Sequence, residues 1–103
     1  LEKQLKQAGY VTDVTDKAAE ADYLLKETNY DCVILDIGLP DDNGLDLLSR
    51  WRNQGINTPV IMLTTEGAED KKAAGKAAGA KAWIIKPFKA DQMLTAVNKL
   101  ILP

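Results

Sequence analysis

The chain contains no histidine and a single cysteine, Cys32, among its 103 residues. Without an imidazole or a second thiol it cannot form an internal disulfide, a Cys- or His-based zinc site, or a Ser-His or Cys-His catalytic pair. A lone cysteine within an apolar run also suits a reducing, cytoplasmic setting. These absences leave carboxylates, hydroxyls and amines as the groups that can carry chemistry.

Strong charge of either sign is also lacking. The 13 basic and 15 acidic side chains give a net charge of -2, which favours neither nucleic-acid binding nor a polybasic membrane contact. No apolar stretch approaches the ~20 residues needed to cross a bilayer, and no signal-peptide pattern opens the chain. With 46% hydrophobic residues, a chain of this length suits a single core, so we expect one domain over residues 1–103.

The clearest strand signal is the apolar run from Cys32 to Leu35, which reads as a short strand buried on both faces. Asp36 ends this strand, and a loop with proline and glycine leads into a predicted helix that begins near Leu45. A carboxylate at the carboxyl end of a buried parallel strand points into the crevice where open α/β sheets bind ligands. Because such an acid is more often simply solvated, Asp36 becomes a site candidate only together with other residues.

The remaining segments alternate between strand and helix patterns, which predicts a parallel α/β sheet with right-handed crossovers. The segment 66–79 is rich in Ala and Lys and has no large apolar side chain, so we predict a loosely docked helix there. The other predicted strands are 10–14, 60–63 and 82–85, and the other predicted helices are 1–8, 18–28 and 91–102.

Polar side chains stand at the ends of three predicted strands: Asp36, Thr64 and Lys86. The carboxyl ends of parallel strands share one edge of the sheet, so these groups can converge. A carboxylate nucleophile, a hydroxyl donor and an ammonium counter-charge suit phosphoryl transfer. Taken singly, Thr64 reads as a β-favouring residue, and Lys86 before Pro87 as a solvated turn lysine. Their joint occurrence favours the site.

With these residues in place, the sequence resembles the receiver domain of two-component response regulators, from residue 1 to about 102. The first half is similar to receivers of DNA-binding regulators, and the half from Thr64 onward to single-domain chemotaxis regulators, so an engineered or chimeric sequence remains an alternative. The motifs that carry the resemblance are Leu35-Asp36, Leu39-Pro40, Gly44-Leu45, Pro59-Val60-Ile61-Met62-Leu63-Thr64, Ala78-Gly79-Ala80 and Lys86-Pro87-Phe88.

The resemblance implies a flavodoxin-like, doubly wound parallel sheet in three αβα layers, with Asp36 as the phosphoacceptor. A sensor histidine kinase would donate the phosphoryl group in the presence of Mg²⁺, which Asp36 and the Gly38 carbonyl would bind. Thr64 and Lys86 would then hold the phosphoryl group. The module would not be a conventional enzyme.

The resemblance also implies a switch in which Trp83 moves inward when Thr64 moves. The Lys86–Pro87 peptide bond would be cis. An output partner or effector domain would bind the face near Trp83, without direct contact to nucleic acid or membrane.

One departure from the family is large. Receivers begin with a buried strand that ends in two adjacent acids, and neither is present in this sequence. Asp36 and Gly38, with Glu66 or Asp41 nearby, replace the pair poorly, so we expect weak or absent Mg²⁺ binding. Self-phosphorylation and dephosphorylation are expected only with the acidic pair restored.

The first strand of the family, which this sequence lacks, would lie between residues 10–14 and 32–35. We expect the gap to be filled by a second chain, through dimer formation or strand exchange, or by an upstream segment. Direct pairing of the two flanking strands is the third alternative.

The sequence has two alternative interpretations of function. A flavin-binding domain can share this architecture, but it needs a hydroxyl- and glycine-rich phosphate loop after its first strand, and none is visible. The second is a truncated, chimeric or engineered receiver fragment that folds but has no phosphotransfer activity.

Overall fold

The computed structural model describes residues 2–38, 41, 43–64 and 79–101 of the chain. Most of the helix predicted for 66–79 lies outside these residues. No helix within the described part is long and apolar enough to span a bilayer. The described helices are α1 Glu2–Gln7, α2 Ala18–Glu27, α3 Gly44–Asn53 and α4 Ala90–Ile101, and the strands are β1 Val33–Asp36, β2 Val60–Thr64 and β3 Ala82–Ile85.

The described strands form one parallel sheet in the order β1-β2-β3. Ile34 pairs with Ile61 on the central strand, and Ile61 pairs in turn with Ala82. All five residues of β2 are buried, as expected for a continuous apolar run covered on both faces. The parallel sheet and alternating helices predicted from the sequence are therefore confirmed.

Side chains alternate along β2 between two separate cores. Val60 and Met62 belong to one cluster, with α2 and α3 residues such as Trp51. Ile61 and Leu63 belong to the other, with α4 residues and the half-buried Leu5 of α1. Because successive strand residues face opposite sides of a sheet, α2 and α3 cover one face and α1 and α4 cover the other. This is the three-layer, flavodoxin-like arrangement that the sequence predicts.

The strand predicted for residues 10–14 is wrong: the structure places no strand there. Val11 and Val14 are 98% and 66% exposed. A cleft of about 730 Å³ lies against both this segment and β1 and separates them, with Leu25, Cys32 and Leu35 among its lining residues. Alternating apolar side chains form a strand only where another strand lies within hydrogen-bonding distance. Because the cleft separates the two segments, direct pairing of residues 10–14 with β1 is also excluded.

Candidate functional site

The three site residues predicted from strand ends lie at one edge of the sheet. Asp36 and Thr64 are the last residues of β1 and β2, and Lys86 directly follows β3. The Lys86 backbone N–H donates to the Thr64 carbonyl at 2.7 Å, which continues the strand pairing to the end of the sheet. Parallel pairing therefore brings together residues that are 28 and 50 positions distant from Asp36 in the sequence.

Both oxygens of the Asp36 carboxylate have partners. Oδ1 accepts a hydrogen bond from the Gly38 backbone N–H at 3.0 Å, and Oδ2 forms an ion pair with the Lys86 ammonium. The two side chains of the ion pair are 34% and 35% exposed. A carboxylate that is open to solvent and already faces a cation is suited to accept an anionic group whose charge that cation can balance.

The turn after Asp36 requires glycine at position 44. A Cβ atom on Gly44 would lie 2.4 Å from the Asp36 carbonyl oxygen, closer than atoms can approach. The Gly44 N–H donates to the Ile37 carbonyl at 2.8 Å. Asn43 then caps α3 by accepting from the Leu45 N–H at 2.8 Å. The site loop therefore returns to the strand end before the helix begins.

A partly buried polar contact joins the two helices of one layer. Trp51 is fully buried in α3, and its indole N–H donates to Asp22 of α2 at 3.1 Å. Lys26 forms an ion pair with the same carboxylate at 2.9 Å. The hydrogen bond from Lys26 is the main reason that the pKa of Asp22 lies below its usual value, and the Trp51 bond adds to it. This pair holds α3, and with it the start of the site loop, against α2.

Arg52 supports the entry to β2 and β3. Its guanidinium donates to the carbonyls of Ile56, Thr58 and Gly79 at 2.8, 2.9 and 3.1 Å. Burial of the guanidinium lowers the pKa of Arg52. Gly79 has a φ of +102°, and a Cβ there would lie 2.9 Å from Arg52 Nε. A side chain at position 79 would therefore be both strained and in conflict with the arginine.

The two residues of the predicted switch lie on the same face of the sheet. Thr64 is only 3% exposed and shares its face with Val60 and Met62, because it follows them at two-residue intervals. Trp83 pairs with Met62 in the strand register and packs against the cluster that contains it. Trp83 is half-buried, so it has both a packed side and an accessible side.

The described residues fit Mg²⁺ poorly. They contain no group of three or more His, Cys, Asp or Glu side chains that could hold a metal ion, whereas Mg²⁺ prefers six oxygen ligands in an octahedron. At the strand ends Asp36 supplies the one carboxylate, and Gly38 could add a carbonyl. Asp41 accepts hydrogen bonds from the start of α2 instead, and Glu66 lies outside the described residues.

The fold and the site together define an α/β protein with an acid, a hydroxyl and an amine at the carboxyl edge of a parallel sheet. The model of the response regulator receiver domain matches residues 1–98, and the chain belongs to this family. Receiver domains generally accept phosphate and bind Mg²⁺ for that reaction.

Curated relatives are longer than this chain. It is 42% identical over 97 residues to the transcriptional regulatory protein PmrA of Pectobacterium parmentieri, and this match covers 94% of this chain and 44% of the relative. It is 36% identical over 101 residues to the transcriptional regulatory protein PhoP of Escherichia coli K12, which covers 98% of this chain and 45% of the relative. The chain thus spans less than half the length of these relatives.

Solved structures of similar proteins share the whole described fold. The receiver domain of the Francisella response regulator 1452 superposes with a TM-score of 0.92 at 33% identity, covering 97% of this chain and 83% of that one. The Vibrio cholerae chemotaxis protein CheY4 superposes with a TM-score of 0.88 at 32% identity, covering 96% and 84%. Both transcriptional and chemotaxis regulators are therefore among the proteins similar to this chain.

Proposed function

We propose that this chain is the phosphoacceptor module of a two-component signalling system and that a sensor histidine kinase transfers a phosphoryl group to Asp36. The observation that supports this most directly is the partly exposed ion pair between Asp36 and Lys86, beside the buried Thr64. Family membership supports the same reaction. Since the donor is a kinase of the signalling pathway, we place the module in the cytoplasm.

In the proposed reaction, a carboxylate oxygen of Asp36 attacks the phosphorus of a phosphohistidine. A P–O bond forms, the P–N bond breaks, and the imidazole of the kinase leaves with its electron pair and takes up a proton. The Lys86 ammonium gives up its contact with the carboxylate and pairs with a phosphoryl oxygen. The Thr64 hydroxyl donates to another phosphoryl oxygen, which spreads the charge over two protein groups.

Mg²⁺ binding by Asp36 and the Gly38 carbonyl stays a prediction, and we expect it to be weak. A bound Mg²⁺ would neutralise phosphoryl charge, but a single carboxylate with two engaged oxygens supplies few of the ligands it needs. Transfer to Asp36 should therefore be slow in this chain. Adding an acidic pair beside the strand end should accelerate both phosphorylation and dephosphorylation.

The proposed output runs through Thr64 and Trp83. When Thr64 turns toward the phosphoryl group, it leaves the sheet face that it shares with the cluster under Trp83. The indole can then move inward and change the surface around β3. We propose this surface as the contact for an output partner or effector domain, and the names of the curated relatives favour a regulator of transcription.

To test the phosphoacceptor, the 103-residue chain is exposed to phosphoramidate and Mg²⁺, and the mass of the intact protein is measured by mass spectrometry. We expect slow addition of one phosphate that is lost on treatment with base, and no addition to Asp36→Asn, which keeps the shape and removes the nucleophile. Asp46→Asn is the matched control, since Asp46 is an exposed acid in the first turn of α3. Equal labelling of the Asp36 variant would refute the assignment.

A second candidate is a receiver fragment that folds without phosphotransfer. The poor set of Mg²⁺ ligands at Asp36 favours it. Failure of the unaltered chain to gain phosphate at any Mg²⁺ concentration, with native folding shown by amide spectra, would support this candidate over the first.

A further inference from the structure

Helix α2 begins without a cap from its own segment. Its N-cap residue, Lys17, makes no side-chain hydrogen bond to the helix. The first backbone N–H groups of a helix have no partner within the helix and need one from elsewhere. Here the partner is Asp41, 23 residues further along the chain: Ala18 N–H donates to its Oδ1 at 2.8 Å, and Ala19 N–H donates to its Oδ2 at 3.2 Å.

The contact is well suited to hold a loop in place. A carboxylate is favoured at a helix N-terminus, because the exposed N–H groups and the helix dipole both carry positive charge there. The two oxygens bind neighbouring N–H groups, so the carboxylate cannot rotate freely without losing one of them. Ala18 is itself buried, in the cluster that contains Leu35 of β1 and Leu47 of α3. The exposed Asp41 carboxylate therefore binds the helix next to a buried core residue.

Asp41 lies in the loop that carries the Asp36 site. Gly38 and Asn43 form an antiparallel bridge across the base of this loop, so Asp41 lies on the far side of that bridge. Gly38 also donates its N–H to Asp36 Oδ1. Asp36 is thus hydrogen-bonded to Gly38 at one end of the loop, the bridge joins Gly38 to Asn43, and Asp41 between them in the sequence binds α2.

We propose that Asp41 is a positioning residue of the Asp36 site: by capping α2 it holds the loop so that the Gly38 N–H faces the Asp36 carboxylate. It does not touch the reacting atoms. Its effect on phosphate acceptance rests on the proposed function, whereas its effect on Gly38 does not. The same contact makes the first turn of α2 sensitive to what happens at Asp36.

The first test needs no phosphate. Amide NMR spectra of the 103-residue chain are compared with those of Asp41→Asn and Asp41→Ala. We expect the Gly38 resonance to shift in both variants, together with those of Ala18 and Ala19, and to shift less in Asp41→Asn because one acceptor oxygen remains. If Asp41→Ala fails to fold, Asp41→Asn alone decides.

The matched control is Thr15→Ala. Thr15 Oγ1 accepts from the Lys17 N–H at 3.2 Å just before α2, so its loss weakens the same helix start without touching the loop. We expect Thr15→Ala to shift Ala18 and Ala19 and to leave Gly38 in place. If the Gly38 resonance does not shift in Asp41→Asn, the proposal is overturned and Asp41 is an ordinary helix cap.

The second test measures the rate of phosphate uptake from phosphoramidate. Asp41→Asn should be slower by about tenfold, in keeping with the large cost of a small misplacement at a reacting centre, and Thr15→Ala should keep the original rate. Uptake by Asp41→Asn at the unaltered rate would overturn the proposal. If the unaltered chain takes up no phosphate, the proposed function fails, and the Gly38 resonance still decides the role of Asp41.

Discussion

The two edges of strand β1 lie in opposite environments. Along one edge every residue pairs with β2, whose side chains are all buried. Along the other edge lies the cleft, and the segment 10–14 on its far side forms no strand. Both sides have valines in apolar, strand-like sequence, yet Val60 is fully buried and Val11 is 98% exposed. The difference shows that strand propensity is realised only where a partner strand completes the pairing.

The same asymmetry limits the site. Its described side chains come from the paired side of β1, where β2 and β3 supply a hydroxyl and an amine beside Asp36. On the cleft side, the described residues place no strand end next to Asp36. Because a carboxylate there would be needed to surround Mg²⁺, the weak metal binding and slow phosphate acceptance that we propose have a common origin.

The largest effect should come from the unpaired edge itself. Exposed strand edges next to apolar surface promote pairing between chains. We therefore expect residues 1–103 to associate with a second copy, with a sedimentation coefficient that rises with concentration. Val14→Lys, at an exposed position lining the cleft, should reduce association because a charge there opposes contact.

Tyr23→Lys is the control, since Tyr23 is 64% exposed on α2 and does not line the cleft. A compact monomer at all concentrations would show that the cleft is closed within one chain. The contrast between the two edges would then be weaker in solution than in the structure.

A matched pair of substitutions measures the contrast in free energy. Val60→Ala removes two buried methyl groups at ~0.8 kcal/mol each and leaves a cavity, so the free energy of unfolding should fall by about 2 kcal/mol. Val11→Ala makes the same chemical change at an exposed position and should stay within about 0.5 kcal/mol of the original value. Urea unfolding at one fixed protein concentration, low enough for the chain to be monomeric, gives both values, because association would otherwise shift the midpoint.

Equal losses for the two valines would mean that Val11 is buried in solution. A loss at Val11 that grows with protein concentration would place the burial at a contact between chains.

Much of the fold could be predicted because its signals are local. The apolar runs that became β1, β2 and β3 are bounded by polar residues, and the rule that parallel strands share a carboxyl edge was enough to bring Asp36, Thr64 and Lys86 together. The prediction of a strand at residues 10–14 failed because alternating apolar residues give the same local pattern whether or not a partner strand is present. Pairing is a property of the neighbouring chain, which the local pattern does not contain.

The contacts that sequence reasoning missed are those between distant residues. Asn43 could have been recognised, since an Asn directly before a helical run is a common N-cap. Asp41 could not, because it caps a helix that begins 23 residues earlier. Arg52 likewise gives no local signal: a basic residue late in a helix predicts a solvated charge, whereas here it binds three carbonyls from two different loops.

The smallest expected effect concerns Cys32, which lines the cleft directly before β1. Burial raises the pKa of its thiol to about 11. Since only the thiolate reacts, alkylation by iodoacetamide should rise about tenfold per pH unit below that value. At pH 8 it should be about 200-fold slower than in the urea-unfolded chain, whose thiol has an ordinary pKa of ~8.5.

The raised pKa of Cys32 also makes the stability of the fold depend on pH. The folded state binds the thiol proton more tightly than the unfolded state, so this contribution is full below the ordinary pKa and is lost as the pH rises toward about 11. Dilution tests whether a second copy covers the cleft. If it does, Cys32 should be alkylated faster as the protein is diluted. In the Val14→Lys variant, Cys32 should be alkylated faster at every concentration. A native rate equal to that of the unfolded chain would mean that the cleft side of β1 is fully open to solvent, and that the thiol has no burial to raise its pKa.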